Sequence, residues 1–272
     1  MIPTQATHSG AGGPQLLQLV GGFVLLALGL GWLTRRRPDL AVDTGQGSRR
    51  AMAFIVSYAL CSACFWRVLA PAALGRVHSL WLMALGDVVF VALALFVWVM
   101  VLAEGRPWRD YGFHMDGARR VVVTLVLGAV AAFTLALPDY GLIASGRVRI
   151  TADSLTFAVL LAALGSALPE EILFRGYLQG SLHGRANPWA RVMLPAMAFA
   201  AFRALRYLPG ADLAPLDWGK YVLGVALPLG MWWGLMRDLA GGSLWPSLVS
   251  HFVVEFGSAL AHASPRAGEI WS

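Results

Sequence analysis

Gly165-Ser166-Ala167-Leu168-Pro169-Glu170-Glu171-Ile172-Leu173-Phe174-Arg175-Gly176-Tyr177 sets two carboxylates and a guanidinium inside an otherwise apolar run. Ionisable groups are expensive in such a setting, so by default they mark function. Arg175 follows Glu171 by four residues, a spacing that puts both on one face of a helix within pairing distance. Glu170 is rotated by about 100° from Glu171 and need not share that partner. Pro169 cannot donate to the carbonyl of Gly165, which loosens the helix where the carboxylates enter. On this reading Glu170 stands near the start of a fresh helical segment, whose free N–H groups favour an anion. The bland alternative is an ion pair that only braces helix packing.

Working outward, the 272 residues are 58% hydrophobic and only 13% charged, with a mean hydropathy of +0.64. That balance lies far from a soluble domain and predicts an all-α, polytopic membrane bundle. Apolar stretches near the ~20 residues a bilayer demands fall at 14–33, 51–73, 79–103, 120–138, 154–180, 191–208, 220–237 and 243–263. About eight transmembrane helices result. Residues 1–50 form a tail, a first anchor helix and a basic loop, and 51–272 form the main bundle. Residues 1–13 lack the basic segment of a secretory signal, so the first span reads as an uncleaved anchor.

The net charge of +6 suggests nucleic acid only until the charges are placed. They cluster in short loops, and the loops assigned to the inside, with Arg191 and Arg237 counted among their charges, carry about twice the Lys and Arg of those outside. This predicts both termini outside the cytoplasm and no nucleic-acid partner. Arg67, Arg175 and Arg203 lie within spans and need partners. Cys61 and Cys64 suit small packing residues better than redox chemistry, because no βαβ pattern surrounds them. The loop Arg106-Pro107-Trp108-Arg109-Asp110-Tyr111-Gly112-Phe113 reads as an interfacial anchor. Tyr140 and Trp218 mark the outer boundary in the same way, and Trp232, Trp233 and Trp245 the inner one.

Polar groups in the later spans converge. Arg203 sits in the sixth, and His251 with Glu255, again four apart on one face, in the eighth. From helix rise, Glu170 lies ~16 Å, Arg203 ~18 Å and His251 ~12 Å from the cytoplasmic ends of their spans. Similar depth predicts one shared polar cavity. A metal site is disfavoured, since no other histidine lies well inside a span and zinc ordinarily takes three protein ligands. A serine triad is weaker still: Ser166, Ser247 and Ser250 lie nearby, but no Gly-x-Ser-x-Gly elbow is present. What remains is a carboxylate base on a water, with an imidazole and a cation to hold developing negative charge. No cofactor is implied. A transporter with a relay carboxylate also explains buried charge, yet paired interrupted helices in two halves are absent from the sequence.

On these residues the chain resembles the CPBP family of intramembrane proteases, the CAAX-processing and bacteriocin-processing or Abi enzymes. Glu170-Glu171-Ile172-Leu173-Phe174-Arg175 fits the family's EExxxR motif, with Gly176 and Tyr177 following as they commonly do. Gly230 to Arg237 leading into Gly242-Ser243-Leu244-Trp245-Pro246 and His251 resembles the last motif block, and the Arg106–Phe113 loop is similar too. The resemblance covers roughly 80–260. It implies a helical bundle in which a glutamate-activated water hydrolyses a peptide bond near the end of a membrane-associated protein or peptide. Glu170 would be the base, Glu171 and Arg175 would orient one another, and His251 would support the water or the oxyanion. Protein maturation, export or removal of C-terminal sorting tags in a bacterial cytoplasmic membrane is implied, a myxosortase-like branch being one specific possibility.

Two positions depart from the pattern. The FxxxH motif appears as Phe199-Ala200-Ala201-Phe202-Arg203, and the HxxxN block as His251-Phe252-Val253-Val254-Glu255. A guanidinium accepts no proton, and an ionised carboxylate donates none. The changes have opposite sign and face each other in the family, which predicts a compensating Arg203–Glu255 pair. A catalytically impaired member acting as a scaffold or immunity protein is the competing expectation.

Overall fold

Proline and glycine punctuate the helices at the places where the backbone has to depart from regular α geometry. The computed structural model describes residues 107–148, 150–183, 186–206 and 219–262. The spans expected at 14–33, 51–73 and 79–103, with Cys61, Cys64, Arg67 and Trp218, lie outside the described residues. Among the described residues every regular element is a helix, with no strand.

A short 3-10 turn, Trp108–Tyr111, ends on Gly112 in the left-handed region at φ 100°, where a side chain is strained. A Cβ there would also come within 2.6 Å of the Gly242 carbonyl oxygen. The Gly112 carbonyl in turn accepts the Leu244 N–H at 2.8 Å. This loop is therefore more than an interfacial anchor: Tyr111 is buried, and its ring lies 5.0 Å from that of Tyr177.

Helix α1 is Ala118–Leu135 and α2 is Leu137–Ala144, opened by Pro138 in its first turn. Proline is tolerated there because the first N–H groups have no helical acceptor. The expected fourth span thus ends early and is continued by a separate short helix. Helix α3 starts as Ala152–Leu160, widens to π geometry over Leu161–Ala167, tightens over Leu168–Glu170 and widens again over Glu171–Gln179. Helix α4 is Pro188–Arg206. Helix α5 begins with a π turn, Val222–Ala226, and continues as Leu227–Leu239, and α6 is Trp245–His262.

Both π segments that precede a proline have the same physical cause. A proline ring collides with the carbonyl four residues back. For Pro169 and Pro228 those carbonyls belong to Gly165 and Gly224, both inside the widened turns. Insertion of an extra residue per turn relieves the collision without ending the helix. Glu170 accordingly does not open a fresh segment, since the backbone from Ala167 through Glu171 stays right-handed helical. No free N–H groups are provided there, and its charge is met by another helix.

Helix α6 packs against α1 and the first half of α3, and α5 against α4. Gly128 lets α1 approach α5 closely, since a Cβ at that position would overlap the Met236 methyl group. The core is aromatic and aliphatic: Ile172, Leu173, Phe174, Phe199, Phe202, Trp233 and Met236 are buried together. Ala118–Leu135 and Ser154–Gln179 are long and apolar enough to cross a membrane. On α1, Val122, Val123, Val126, Leu127, Val130 and Phe133 point outward.

Candidate active site

The site lies where α3, α4 and α6 meet, and the junction of the tightened turn of α3 with the widened segment after it presents two carboxylates in different directions. Glu170 and Glu171 are both fully buried. Glu170 faces α4: its Oε2 accepts from Arg203 NH2 at 2.8 Å and from Arg203 Nε at 3.2 Å. Its Oε1 accepts from the Ser166 hydroxyl at 3.2 Å, one turn earlier on the same helix. Arg203 NH2 also reaches Ser166 Oγ at 3.0 Å and Glu255 Oε1 at 2.7 Å. One guanidinium therefore joins carboxylates from α3 and α6, and the opposite-sign departures at 203 and 255 are in contact.

Glu171 faces α6. Its Oε1 lies 3.0 Å from His251 Nδ1 and 3.1 Å from Arg175 NH1. A proton on Nδ1 donated to Glu171 leaves the other ring nitrogen of a neutral imidazole as an acceptor. Nε2 is 3.3 Å from Arg203 NH2, which can only donate, and 3.7 Å and 3.6 Å from the nearer oxygens of Glu170 and Glu255. The ring thus stands between the two glutamates of α3 and the one of α6.

Aromatic rings fix these groups in place. Trp233 stacks on His251, with ring centroids 3.7 Å apart at 15°, and its indole N–H donates to Ser250 Oγ at 3.1 Å. Phe199 lies between the two guanidiniums, 4.9 Å from Arg175 Cζ and 5.2 Å from Arg203 Cζ. Cations over ring faces gain from the quadrupole, more so when water is excluded. Arg175 NH2 donates to the Gly230 carbonyl at 3.0 Å, while its Nε has no hydrogen-bond partner. Gly230 is needed for that approach, because a Cβ would meet Ala196 at 3.1 Å.

All six residues singled out in the sequence, Glu170, Glu171, Arg175, Arg203, His251 and Glu255, fall into this one network. Trp233 was expected at the membrane boundary and is instead fully buried, because its face covers His251 and its N–H finds a partner inside. Ser166 and Trp233 carry contacts that sequence reasoning did not assign. Tyr140 is half-buried, its hydroxyl donating to the Val253 carbonyl at 2.8 Å. Among the described residues no three His, Cys, Asp or Glu side chains are grouped as metal ligands would be.

A second charged layer lies toward the end of α3. Gln179 Nε2 donates to Asp238 Oδ1 at 3.0 Å and to the Gly234 carbonyl at 2.8 Å. Arg191 Nε donates to Asp238 Oδ2 at 2.6 Å, although the sequence had placed Arg191 in a loop count of surface charge. In the loops at this end, burial holds the imidazoles of His114 and His183 below their ordinary range, against the raising effect of Asp116 and Asp238.

Residues 152–257 match the model of a protein family described as type II CAAX prenyl endopeptidase, Rce1-like. The matched stretch runs from the start of α3 past Glu255 in α6, and so contains every member of the buried network. No curated relative and no solved structure matches the chain.

Proposed function

Residues 152–257 belong to the Rce1-like group within the CPBP family of proteases, and from that premise we propose that this chain is an intramembrane glutamic endopeptidase. The observation that carries the proposal is the cluster of Glu170, Arg203, His251 and Glu255, gathered from three helices, with the first three buried and Glu255 partly exposed. The outward apolar stripe of α1 supports a lipid setting for it.

In this reading Glu170 takes a proton from a water, and the resulting hydroxide oxygen bonds to the scissile carbonyl carbon. Negative charge gathers on the carbonyl oxygen, where the Arg203 guanidinium stabilises it, while His251, its Nδ1 proton held by Glu171, offers Nε2 as an acceptor that orients the water. Donors already in place cost no rearrangement at that moment, which is why such stabilisation is large. Glu170 then returns its proton to the amide nitrogen as the C–N bond breaks. Glu171 holds the His251 ring, and Arg175 holds Glu171. The substrate class is a membrane-associated protein or peptide cleaved near its C-terminal end, in maturation, export or sorting-tag removal.

A second reading has its own support. Arg203 engages Glu170 through two nitrogens, and an ion-paired carboxylate is a weaker base. A member held in that state would serve as a membrane scaffold or immunity protein. Cleavage of a panel of C-terminal tail peptides by the purified protein in detergent separates the two. Wild type should release product and Glu170→Gln should lose at least ~100-fold in rate, the usual scale for a general base. Equal product from both would sink the peptidase reading.

A further inference from the structure

The layer below the proposed catalytic network is built on a different charge balance. Arg237, in the last turn of α5, is only 6% exposed, and its Nε has no hydrogen-bond partner. No carboxylate among the described residues pairs with it. The neighbouring Asp238 is already engaged by Arg191 at 2.6 Å and by Gln179 at 3.0 Å. Asp238 and Glu171 act on this guanidinium through space without closing an ion pair with it, and a buried cation so incompletely compensated favours a further anion.

Other cations lie at the same end of the bundle, and Arg191 acts on it directly. The Arg237 NH2 group lies against the backbone of Gly180, 3.4 Å from where a Cβ would stand. Arg120, in the first turn of α1, brings NH1 to within 3.6 Å of the corresponding point on Gly241. With Arg191 this makes three arginines to one aspartate. The position along the bundle decides what the anion is. The start of α1, the end of α3 and the end of α5 come to the same level here, and α1 and α3 are the two helices able to cross a membrane. Phospholipid headgroups lie at the ends of such helices, and basic pockets between helix ends recognise them.

We infer that Arg237, with Arg191 near it and Arg120 at the same end of the bundle, binds the phosphodiester headgroup of an anionic phospholipid there. The guanidinium fork supplies paired N–H donors to phosphate oxygens, which an ammonium does not. The inference does not depend on peptidase activity, and its readout is separate from it.

The test is retained lipid, counted by native mass spectrometry of the detergent-purified protein, together with its thermal midpoint. Phosphatidylglycerol, phosphatidylcholine and soluble glycerol phosphate are added in separate arms. Phosphatidylglycerol should be retained and should raise the midpoint by a few degrees, while the other two should do neither. Arg237→Lys should reduce retention. Arg120→Gln, at an exposed position, should lower apparent affinity about fivefold, the equivalent of one surface arginine, and leave the lipid-free midpoint unchanged. Should Arg237→Lys fail to fold, the Arg120→Gln arm still decides. Retention of phosphatidylglycerol unaffected by either substitution would overturn the assignment. A full shift with glycerol phosphate alone would also overturn it, in favour of a soluble anion.

Discussion

Two charged layers share α3 and α5 and lie about two turns apart, and they handle charge in opposite ways. Around Glu170 each buried ion has a named counter-ion. Arg203 bridges Glu170 and Glu255, Arg175 meets Glu171, and His251 lies among all three glutamates. Around Arg237 the cations outnumber the carboxylates, and Asp238 is taken up by Arg191 and Gln179; buried nitrogens without a hydrogen bond occur in both layers, on Arg175 as on Arg237. Depth explains the difference. A charge in mid-bundle has no access to outside ions and must be neutralised by the chain itself, whereas one at a helix end can borrow its counter-ion from the headgroup region. The inner layer is thus self-contained and the outer one is incomplete by itself.

That contrast is broken most severely at Arg203. Arg203→Met would leave Glu170 buried with no cation and would release Glu255 as well. Removing one member of a buried pair typically costs about 3–5 kcal/mol. A loss of that size should appear as a large drop in thermal midpoint in detergent. Arg203→His combined with Glu255→Asn restores a neutral pair and should melt closer to wild type than either single change. If the double variant were inactive and both singles neutral, the pairing would have no functional weight.

A smaller disturbance should separate the layers. Asp238→Asn removes the one carboxylate of the outer layer and leaves Arg191 without its 2.6 Å partner. An unsatisfied buried donor costs about 1–3 kcal/mol, so the lipid-free midpoint should fall moderately. The same change makes the outer layer more cationic, and retention of phosphatidylglycerol should rise. A fall in both quantities would show that Asp238 shapes the anion site rather than competing with it.

How much of this was legible beforehand follows the same division. The inner layer announces itself in local spacing: Glu171 with Arg175, and His251 with Glu255, are each four residues apart in apolar sequence. The opposite signs at 203 and 255, at positions that face each other in the family the chain resembles, led to the expectation of their contact. The outer layer has no such signal, because Arg191, Gln179 and Asp238 are 47 and 59 positions apart in their pairings. Arg191 and Arg237 were read as loop charges for that reason. Trp233 was misplaced because a tryptophan in an apolar helix reads alike at an interface and in a core. Pro169 did predict a disturbed helix, but a free N-terminus was expected where the chain instead widens into π turns.

The gentlest probe of the contrast is acidity. His114 and His183 border the outer layer in its loops. Burial lowers both below 6.5, with Arg109 and Arg237 acting on His114, and Arg191 and Arg237 on His183, in the same direction. Asp116 and Asp238 oppose this. A histidine whose folded value is depressed binds its proton more readily in the unfolded chain, so stability rises with pH across that window. Their contribution should be complete above about pH 6.5 and should be lost as the pH falls below it. Both rings are only partly buried, so the effect is small. Comparing midpoints at pH 7.5 and 5.5 for wild type and a His114→Gln, His183→Gln variant isolates it. The variant should lose part of the acid-induced fall. Identical falls in the two proteins would place the acid response elsewhere and leave the outer layer insensitive to proton binding at these two rings.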